Sequence, residues 1–327
     1  MRILMFSDLH LSDATKELAE RLLRQILQED VEAVFHLGDL FDQKDRIPNH
    51  LQKMIIDFVT TLQKQGKQFY TLFGNHDGYL KDFPSACYLD HLPNAKLITE
   101  PTLVMRYFYF VPYDTDYEKI KRAIREAPLV ARYCCIHADI EGFSRASNVI
   151  KRATLENRFK KIFIGHIHQP TREGKFICIG NPFARNFTET SPYNKPIQRG
   201  YIIYDNSVIK FIPFDAPYYV KIDNVNEKKI KEFEEAYEGK QVHLWLDFSD
   251  DKEYDVGTNK VKILSKIVTR NIPKEEIADD IPIVKLENLK DYLRAYIEKQ
   301  KKKESKRAKE RFFKTAKKLL KHFGILV

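Results

Sequence analysis

The sequence predicts an α/β fold, in which buried strands alternate with amphipathic helices that cover a sheet. Five stretches each join a β-branched or aromatic run to a polar motif at its carboxyl end. These stretches are 2–10 (RILMFSDLH), 32–42 (EAVFHLGDLFD), 68–77 (QFYTLFGNHD), 132–139 (RYCCIHAD) and 161–170 (KIFIGHIHQP). Apolar residues recur at helical spacing between the first three, at Leu18, Leu22, Ile26, and then at Leu51, Ile55, Phe58, Val59 and Leu62. This alternation is typical of a sheet with helices on its faces.

The polar motifs are expected to meet in space. Ligands of α/β sheets bind beyond the carboxyl ends of the strands, and all five motifs occupy that position. Side chains that are distant in sequence should therefore converge at one edge of the fold. Later apolar runs at 176–179, 200–204 and 208–213 are predicted to be hairpin strands that complete a second sheet.

The pattern changes after Pro217, where we predict a small separate α/β unit. Its predicted elements are a strand at 218–222, a charged helix at 227–237 and a strand at 242–248, followed by a linker at 250–283. The last segment carries apolar residues on one helix face and lysines on the other. These features predict three parts, residues 1–215, 216–283 and 284–327.

The charge of the chain is concentrated at its carboxyl end. The net charge is +9, and residues 291–327 hold 13 Lys and Arg against 4 Asp and Glu, so the rest of the chain is neutral overall. Such a run is either a solvated helix face or a surface for nucleic acid or an acidic partner.

Composition also bears on the compartment. No apolar stretch approaches the roughly 20 residues that cross a bilayer, and the amino terminus leads directly into a charged motif. The four cysteines are too few for a disulfide scaffold and lie in or beside apolar runs. We therefore expect a cytoplasmic protein with no membrane contact.

The polar motifs have the composition of a metal site. Asp8 and His10 follow a strand, and in extended backbone both side chains would point the same way and grip one ion. His166 and His168 repeat that spacing, and the two oxygens of Asp39 could bridge a pair of cations. Asn75 and His137 complete the set. Carboxylate, amide and imidazole together suit Mn²⁺, Fe²⁺ or Zn²⁺ better than Ca²⁺ or Mg²⁺.

Each motif alone is weak, but five of them at predicted strand ends are a specific pattern. Other polar residues nearby receive structural interpretations. His36 should be packed or hydrogen-bonded inside its strand, and Asp42, Cys134 and Cys135 should be structural. Asp77 has two interpretations, since it could orient His76 or cap the following turn.

The motifs D-L-H at 8–10, G-D at 38–39, G-N-H-D at 74–77, His137 and G-H-I-H at 165–168 resemble the signature of the calcineurin-like metallophosphoesterase superfamily. The resemblance covers about two-thirds of the chain and implies a two-sheet sandwich flanked by helices. It implies that one metal is held by Asp8, His10, Asp39 and His168, and the other by Asp39, Asn75, His137 and His166. Asp39 would bridge the metals, and His76 would be the catalytic residue over the scissile phosphate.

Within that superfamily, the phrase GDLFD at 38–42 resembles the SbcD family of nuclease subunits, which process DNA double-strand breaks. The phrases HADIEGF at 137–143 and GNP at 180–182 support this resemblance. The Arg and Glu that phosphoprotein phosphatases carry beside these motifs are absent. Bacterial and phage members are more similar than archaeal and eukaryotic members of this meiotic-recombination-type group, which often have His where Asp42 stands.

The resemblance to phage recombination nuclease subunits also implies partners. Residues 1–215 would be the nuclease domain and would pair with a second copy. The unit at 216–283 would cap the active site and touch DNA. Residues 284–327 would dock on the coiled-coil base of an SbcC-type, SMC-like ATPase. A phage-encoded chain would act in the host cytoplasm.

Three functions are compatible with these residues. The leading hypothesis is a nuclease that uses two divalent ions, with Mn²⁺ preferred, as a double-strand exonuclease and single-strand endonuclease. The alternative is a free-standing phosphodiesterase for nucleotides or small esters, which leaves the basic segment unexplained. The third is a catalytically silent scaffold at DNA ends, against which the intact His76 argues.

Overall fold

The structure, a computed structural model of the chain, describes residues 1–79, 84–248, 256 and 260–270. The predicted partner-binding segment 284–327 lies outside the described residues. The strands are β1 (Arg2–Phe6), β2 (Ala33–His36), β3 (Gln68–Leu72), β4 (Ala95–Ile98), β5 (Thr102–Val104), β6 (Phe108–Val111), β7 (Tyr133–His137), β8 (Lys161–Gly165), β9 (Thr171–Glu173), β10 (Phe176–Cys178), β11 (Gly200–Asp205), β12 (Val208–Pro213), β13 (Tyr218–Asp223), β14 (Gln241–Phe248) and β15 (Lys262–Arg270). The helices are α1 (Lys16–Gln28), α2 (Asn49–Lys64), α3 (Tyr117–Glu126), α4 (Arg152–Glu156) and α5 (Glu227–Ala236), with a short 3-10 helix at Cys87–His91.

Two six-stranded sheets form the centre of the fold. The first has the order β12-β11-β1-β2-β3-β4, and β1 to β4 run parallel. The second has the order β5-β6-β7-β8-β10-β9, with β6, β7, β8 and β10 parallel. The first three polar motifs therefore follow strands of one sheet, and the last two follow strands of the other.

Helices cover the outer face of each sheet, and aromatic side chains fill the space between the sheets. The apolar faces of α1 and α2 pack on β1 to β3, and α3 and α4 pack on the second sheet. Between the sheets, the ring of Phe35 lies 5.3 Å from that of Phe108 and 4.9 Å from that of Phe110, both edge to face. Such pairs bury large apolar areas in favourable geometry. The predicted two-sheet sandwich flanked by helices is confirmed.

One part of the prediction is wrong. The runs at 200–204 and 208–213 were expected in the second sheet, but β11 pairs antiparallel with β1 and extends the first sheet. β11 and β12 form a hairpin whose turn residues, Asn206 and Ser207, both have positive φ. Turns of this kind match the twist of paired strands. The hairpin thus covers the edge of β1 that β2 leaves open.

The segment after Pro217 forms a third sheet of β13, β14 and β15, all parallel. The helix α5 connects β13 to β14, and its Ile230 and Phe233 pack with Val220, Val242 and Leu244. The strand β15 lies where the sequence analysis expected a linker. Its run KILSKIVTR is rich in β-branched residues, which favour strands, and the linker assignment overlooked this.

Two smaller expectations concern membranes and cysteines. Among the described residues, no helix combines the length and the apolar character that crossing a bilayer requires. All four cysteines are free, and Cys134, Cys135 and Cys178 are buried. Burial raises the pKa of the Cys134 and Cys135 thiols, so both are unreactive packing residues.

Candidate metal centre

The loops at the carboxyl ends of the two sheets bring the predicted site residues together. Asp8 and His10 follow β1, Asp39 follows β2, and Asn75 and His76 follow β3. From the second sheet come His137, the last residue of β7, and His166 and His168, which follow β8. The first two loops continue the parallel pairing, since the His10 N–H donates to the Asp39 carbonyl at 3.0 Å.

The backbone of these loops is not extended. Asp8, His10, Asp39 and His166 have φ values of 52°, 43°, 59° and 73°, in the left-handed region. The expectation that extended backbone aligns Asp8 with His10 is therefore wrong. Left-handed conformations cost non-glycine residues energy, and they cluster at functional sites where surrounding contacts impose them. Here the left-handed backbone turns each of these side chains toward the site from a tight loop.

The first ligand group consists of Asp8, His10 and His168. The two Nε2 atoms of His10 and His168 lie 3.2 Å apart, and Nε2 of His168 lies 3.8 Å from Oδ1 of Asp8. Asp8 is fully buried, and its two oxygens also accept the His166 N–H at 3.0 and 3.1 Å. The carboxylate thus also positions the loop that carries both histidines.

The second group consists of Asp39, His137 and His166, with Asn75 between the two imidazoles. Oδ1 of Asn75 lies 3.1 Å from Nε2 of His137 and 2.8 Å from Nδ1 of His166. His166 and His168 therefore face different groups, although they are two residues apart. The division is the one that the superfamily resemblance implied.

Asp39 lies between the two groups. Its Oδ2 is 3.5 Å from Nε2 of His10 and 3.5 Å from Nε2 of His137. Its Oδ1 accepts the His76 N–H at 2.7 Å. One carboxylate oxygen thus faces both groups equally, which is the position that a bridging ligand requires.

The contacts of the outer nitrogens assign the protonation of three of the imidazoles. Nδ1 of His137 contacts the Leu37 carbonyl at 2.7 Å, and Nδ1 of His168 contacts Oε1 of Glu189 at 2.9 Å. Nε2 of His166 lies 3.3 Å from Oδ2 of Asp139. Carbonyl and carboxylate oxygens only accept, so these outer nitrogens carry the proton. The inner nitrogens then present lone pairs.

This donor set fits divalent cations. Nε2 of His10 lies 3.2 Å from Nε2 of His168, and the inner nitrogens of His137 and His166 lie within 3.1 Å of the Asn75 oxygen. A cation at either place would be surrounded by nitrogen and oxygen donors that already face one another. Two buried carboxylates also require positive charge nearby. Mixed nitrogen and oxygen ligands with carboxylate-backed imidazoles are typical of transition-metal sites.

In the second group, the pKa values of His137 and Asp39 depend on each other. Burial alone would lower the pKa of His137, but the adjacent Asp39 carboxylate raises it to about 9. Burial opposes ionisation of Asp39, yet His137 holds the pKa of that carboxyl well below its usual range. A proton and a cation therefore compete for the same inner nitrogen of His137.

Asp77 binds the backbone of two loops, a role that neither sequence-based interpretation gave it. Its Oδ2 accepts the N–H groups of Asp39 and Gly74 at 2.9 and 2.8 Å, and its Oδ1 accepts the Leu40 N–H at 2.9 Å. It therefore neither orients the His76 ring nor caps a following turn. Burial and the charge of Asp39 raise its pKa to about 6, while these backbone donors oppose the rise. Asp77 joins the loops after β2 and β3.

His76 lies beside the first group without belonging to its inner ligands. Its Nδ1 contacts the main-chain carbonyl of Asp42 at 2.8 Å, so Nδ1 carries a proton and Nε2 is left to accept a second one. Its ring packs edge to face on His10, with centroids 4.7 Å apart. The cluster His10, Asp42 and His76 is a further group of possible ligands.

Sequence reasoning missed an outer layer of charged residues. Asp42, expected to be structural, lies 3.4 Å from Nδ1 of His10 and accepts from Nη1 of Arg185 at 2.9 Å. Arg185 also donates to Oε1 of Glu189 at 2.9 and 2.7 Å. Glu189 has no sequence signal, whereas Asp139 belongs to the phrase that follows His137. His36 is structural as expected: it is buried, contacts Thr71 Oγ1 at 2.8 Å, and burial lowers its pKa to about 3.

Loss of an outer-layer residue should weaken metal binding at one of the two positions and leave the other unchanged. Glu189→Ala removes the acceptor that orients His168, and loss of such a partner typically weakens metal affinity by about 10–100-fold. We expect calorimetric titration with Mn²⁺ to show one weakened and one normal position. The matched control is Glu173→Ala, an exposed glutamate that also pairs with an arginine. Two unchanged positions in Glu189→Ala would contradict the role of this layer.

Comparison with known proteins supports a family assignment. The family described as calcineurin-like phosphoesterase matches residues 1–170. The UDP-2,3-diacylglucosamine hydrolase of Actinobacillus succinogenes is 34% identical over 128 residues, which are 36% of this chain and 54% of that protein. Exonuclease subunit 1 of Enterobacteria phage T4 is 26% identical over 200 residues, covering 57% of each chain.

The chain thus spans little more than half the length of these curated relatives. Among solved structures, the nuclease MPE of Pseudomonas putida is similar at 14% identity with a TM-score of 0.32, covering 64% of this chain and 87% of that one. The family match covers the loops after β1, β2, β3, β7 and β8, which carry all of the ligand groups. The chain belongs to the calcineurin-like phosphoesterase family, whose members bind two divalent metal ions.

Proposed function

We propose that the chain is a DNA nuclease, a double-strand exonuclease and single-strand endonuclease of the SbcD type that uses Mn²⁺. The observation that carries the proposal is the place of the phrase GDLFD at 38–42. Its first Asp is Asp39, and its last, Asp42, holds His76 through its carbonyl and contacts His10 and Arg185 through its carboxylate. The similarity to a phage exonuclease subunit extends over 200 residues and supports the same function.

The chemistry follows from the arrangement of the side chains. The two ligand groups would hold two divalent cations, which when bound would supply an acidified water molecule and neutralise charge at phosphorus. The chain orients the imidazoles of His137, His166 and His168 by their outer contacts, so that their inner nitrogens need no rearrangement on binding. Asp39 shares one oxygen between the two groups. The Asp42 carbonyl holds one His76 proton on Nδ1, so the doubly protonated ring would give the proton on Nε2 to the leaving oxygen and keep the one on Nδ1.

A second candidate has specific support. The 34% identity to a UDP-2,3-diacylglucosamine hydrolase favours a phosphoesterase for small nucleotide-linked esters. The same site chemistry serves either substrate, so the centre does not distinguish them. That match covers 36% of the chain, against 57% for the phage exonuclease subunit. The DNA substrate also accounts for the basic residues at 291–327, which the small-ester function leaves without a role.

A single substitution tests the reaction. His76→Ala removes the proton donor but leaves every inner ligand, so we expect Mn²⁺-dependent cleavage of linear DNA to fall by about 10²–10⁴-fold. Metal stoichiometry should stay at the wild-type value, which separates catalysis from metal binding. The matched control is His50→Ala, since His50 is a half-exposed histidine paired with Asp13.

Two other results would support the alternative functions. Wild-type protein that hydrolyses UDP-2,3-diacylglucosamine and leaves linear and single-stranded DNA intact would support the second candidate. Protein that binds DNA but cleaves neither substrate with any divalent ion would support the scaffold hypothesis instead.

The partners belong to the same proposal. We propose that residues 284–327 dock on an SbcC-type ATPase and that two chains pair through residues 1–215. Deleting 284–327 should abolish co-purification with such an ATPase while Mn²⁺ cleavage of short oligonucleotides continues, because the ligands all precede residue 170. Unchanged recovery of the ATPase by the truncated chain would refute the docking role of this segment.

A further inference from the structure

The residues that orient His168 lie beyond the part of the chain that the family matches. The family match ends at residue 170, whereas Glu189, whose Oε1 lies 2.9 Å from Nδ1 of His168, belongs to the segment between β10 and β11. Two further polar residues of that segment, Asn181 and Arg199, are also buried. Buried polar side chains need hydrogen-bond partners, and the partners of these two lead to the first ligand group.

The guanidinium of Arg199 joins three parts of the chain behind that group. Its Nη1 donates to the main-chain carbonyl of His168 at 2.6 Å and to Oδ1 of Asn181, and its Nη2 donates to the main-chain carbonyl of Glu189 at 3.2 Å. His168 is therefore held at two points, because Glu189 contacts its ring and Arg199 binds its main chain. A planar guanidinium presents five donors in a fixed fork, which a lysine ammonium does not reproduce.

Asn181 completes this network. Its Nδ2 donates to Oε2 of Glu189 at 2.6 Å, and its main-chain N–H donates to the His168 carbonyl at 3.2 Å. Oε1 of Glu189 faces His168 and accepts from Nη2 of Arg185 at 2.7 Å. The two arginines thus have different roles, since Arg185 binds the carboxylate of Glu189 whereas Arg199 binds the main chain of Glu189 and of His168.

The backbone of Arg199 is fixed by the first sheet. The Phe214 N–H donates to the Arg199 carbonyl at 2.8 Å, and the strand that follows Arg199, β11, pairs with β1. Asp8 and His10 follow β1, while His168 follows β8 of the second sheet. The side chain of Arg199 therefore ties a ligand from one sheet to the sheet that carries the other two ligands of the same group.

Folding alone does not explain a guanidinium at this place. Arg199 is only 8% exposed, and the three oxygens to which it donates are uncharged. Removing a charge from water costs free energy that such acceptors repay only in part, and well-packed apolar residues are often as stabilising as buried charges. The position of these oxygens, one of them on a metal ligand, indicates a role in the centre.

We propose that Arg199 is a positioning residue for the cation of the first ligand group, which keeps Nε2 of His168 directed toward Asp8 and His10. The inference concerns metal binding, so it holds whichever phosphoester the centre cleaves. Loss of a residue that orients a metal ligand typically weakens metal affinity by about 10–100-fold. The imidazoles of the second group are oriented by Leu37 and Asp139 instead, so the second cation should bind normally.

Substitution of Arg199 tests this role in the full chain. Calorimetric titration of Arg199→Ala with Mn²⁺ should show one position weakened by about tenfold or more and the other unchanged. Crystals of Arg199→Ala grown with limiting Mn²⁺ should lose anomalous signal beside Asp8, His10 and His168 and keep it beside His137. Millimolar guanidinium should restore the weakened affinity, because it can occupy the space of the missing side chain. Arg199→Lys, which keeps the charge without the fork, should lose less affinity at the same position.

The control is Arg158→Ala. Arg158 also donates to main-chain carbonyls, those of Ala127, Pro128 and Ala131, but it lies at the amino ends of β7 and β8, away from the centre. This variant should bind both cations as the wild type does.

Three results would overturn the role of Arg199. They are two wild-type Mn²⁺ affinities in Arg199→Ala, an equal loss at both positions, and a loss that guanidinium does not restore. If Arg199→Ala does not fold, the titration of Arg199→Lys decides, and two unchanged affinities there would also overturn the inference. Wild-type protein that binds two Mn²⁺ ions but cleaves no DNA would refute the proposed nuclease function and leave this inference intact.

Discussion

Asp39 carries the constraint on which the rest of the structure depends. One of its carboxylate oxygens lies at the same 3.5 Å from an imidazole of each ligand group, and the other accepts the His76 N–H. Its backbone N–H is held by Asp77, and its φ of 59° is strained. A carboxylate can serve two cations only if both sheets deliver their loops to it, and the facing carboxyl ends of β2 and β7 do so.

Two glycines that lie close to Asp39 in space are required by the same crowding of loops around it. A Cβ on Gly74 would lie 2.2 Å from Oδ1 of Asp39, and one on Gly38, which also has a φ of 98°, would lie 2.2 Å from Nδ1 of His137. No side chain fits at either position. The glycines of the G-D and G-N-H-D motifs are therefore required by close packing around the Asp39 carboxylate.

The ligand motifs could be predicted because each follows a buried strand, and carboxyl ends of strands converge in α/β folds. The outer layer of charged residues could not be predicted, because Glu189 and Arg185 lie in an irregular loop. Tertiary packing decides how that loop approaches His168. The third strand of the small sheet was missed because β15 pairs in parallel with β14, so no local turn marks it. The backbone of Asp8 and His10 was misjudged because left-handed conformations of non-glycine residues leave no trace in composition.

The central claim is that Asp39 bridges two cations, and anomalous diffraction from crystals grown with Mn²⁺ tests it directly. We predict two anomalous peaks about 3.5–4 Å apart, on either side of Asp39. One peak should contact Asp8, His10 and His168, and the other Asn75, His137 and His166. A single peak, or two peaks of which neither contacts Asp39, would contradict this account of the site.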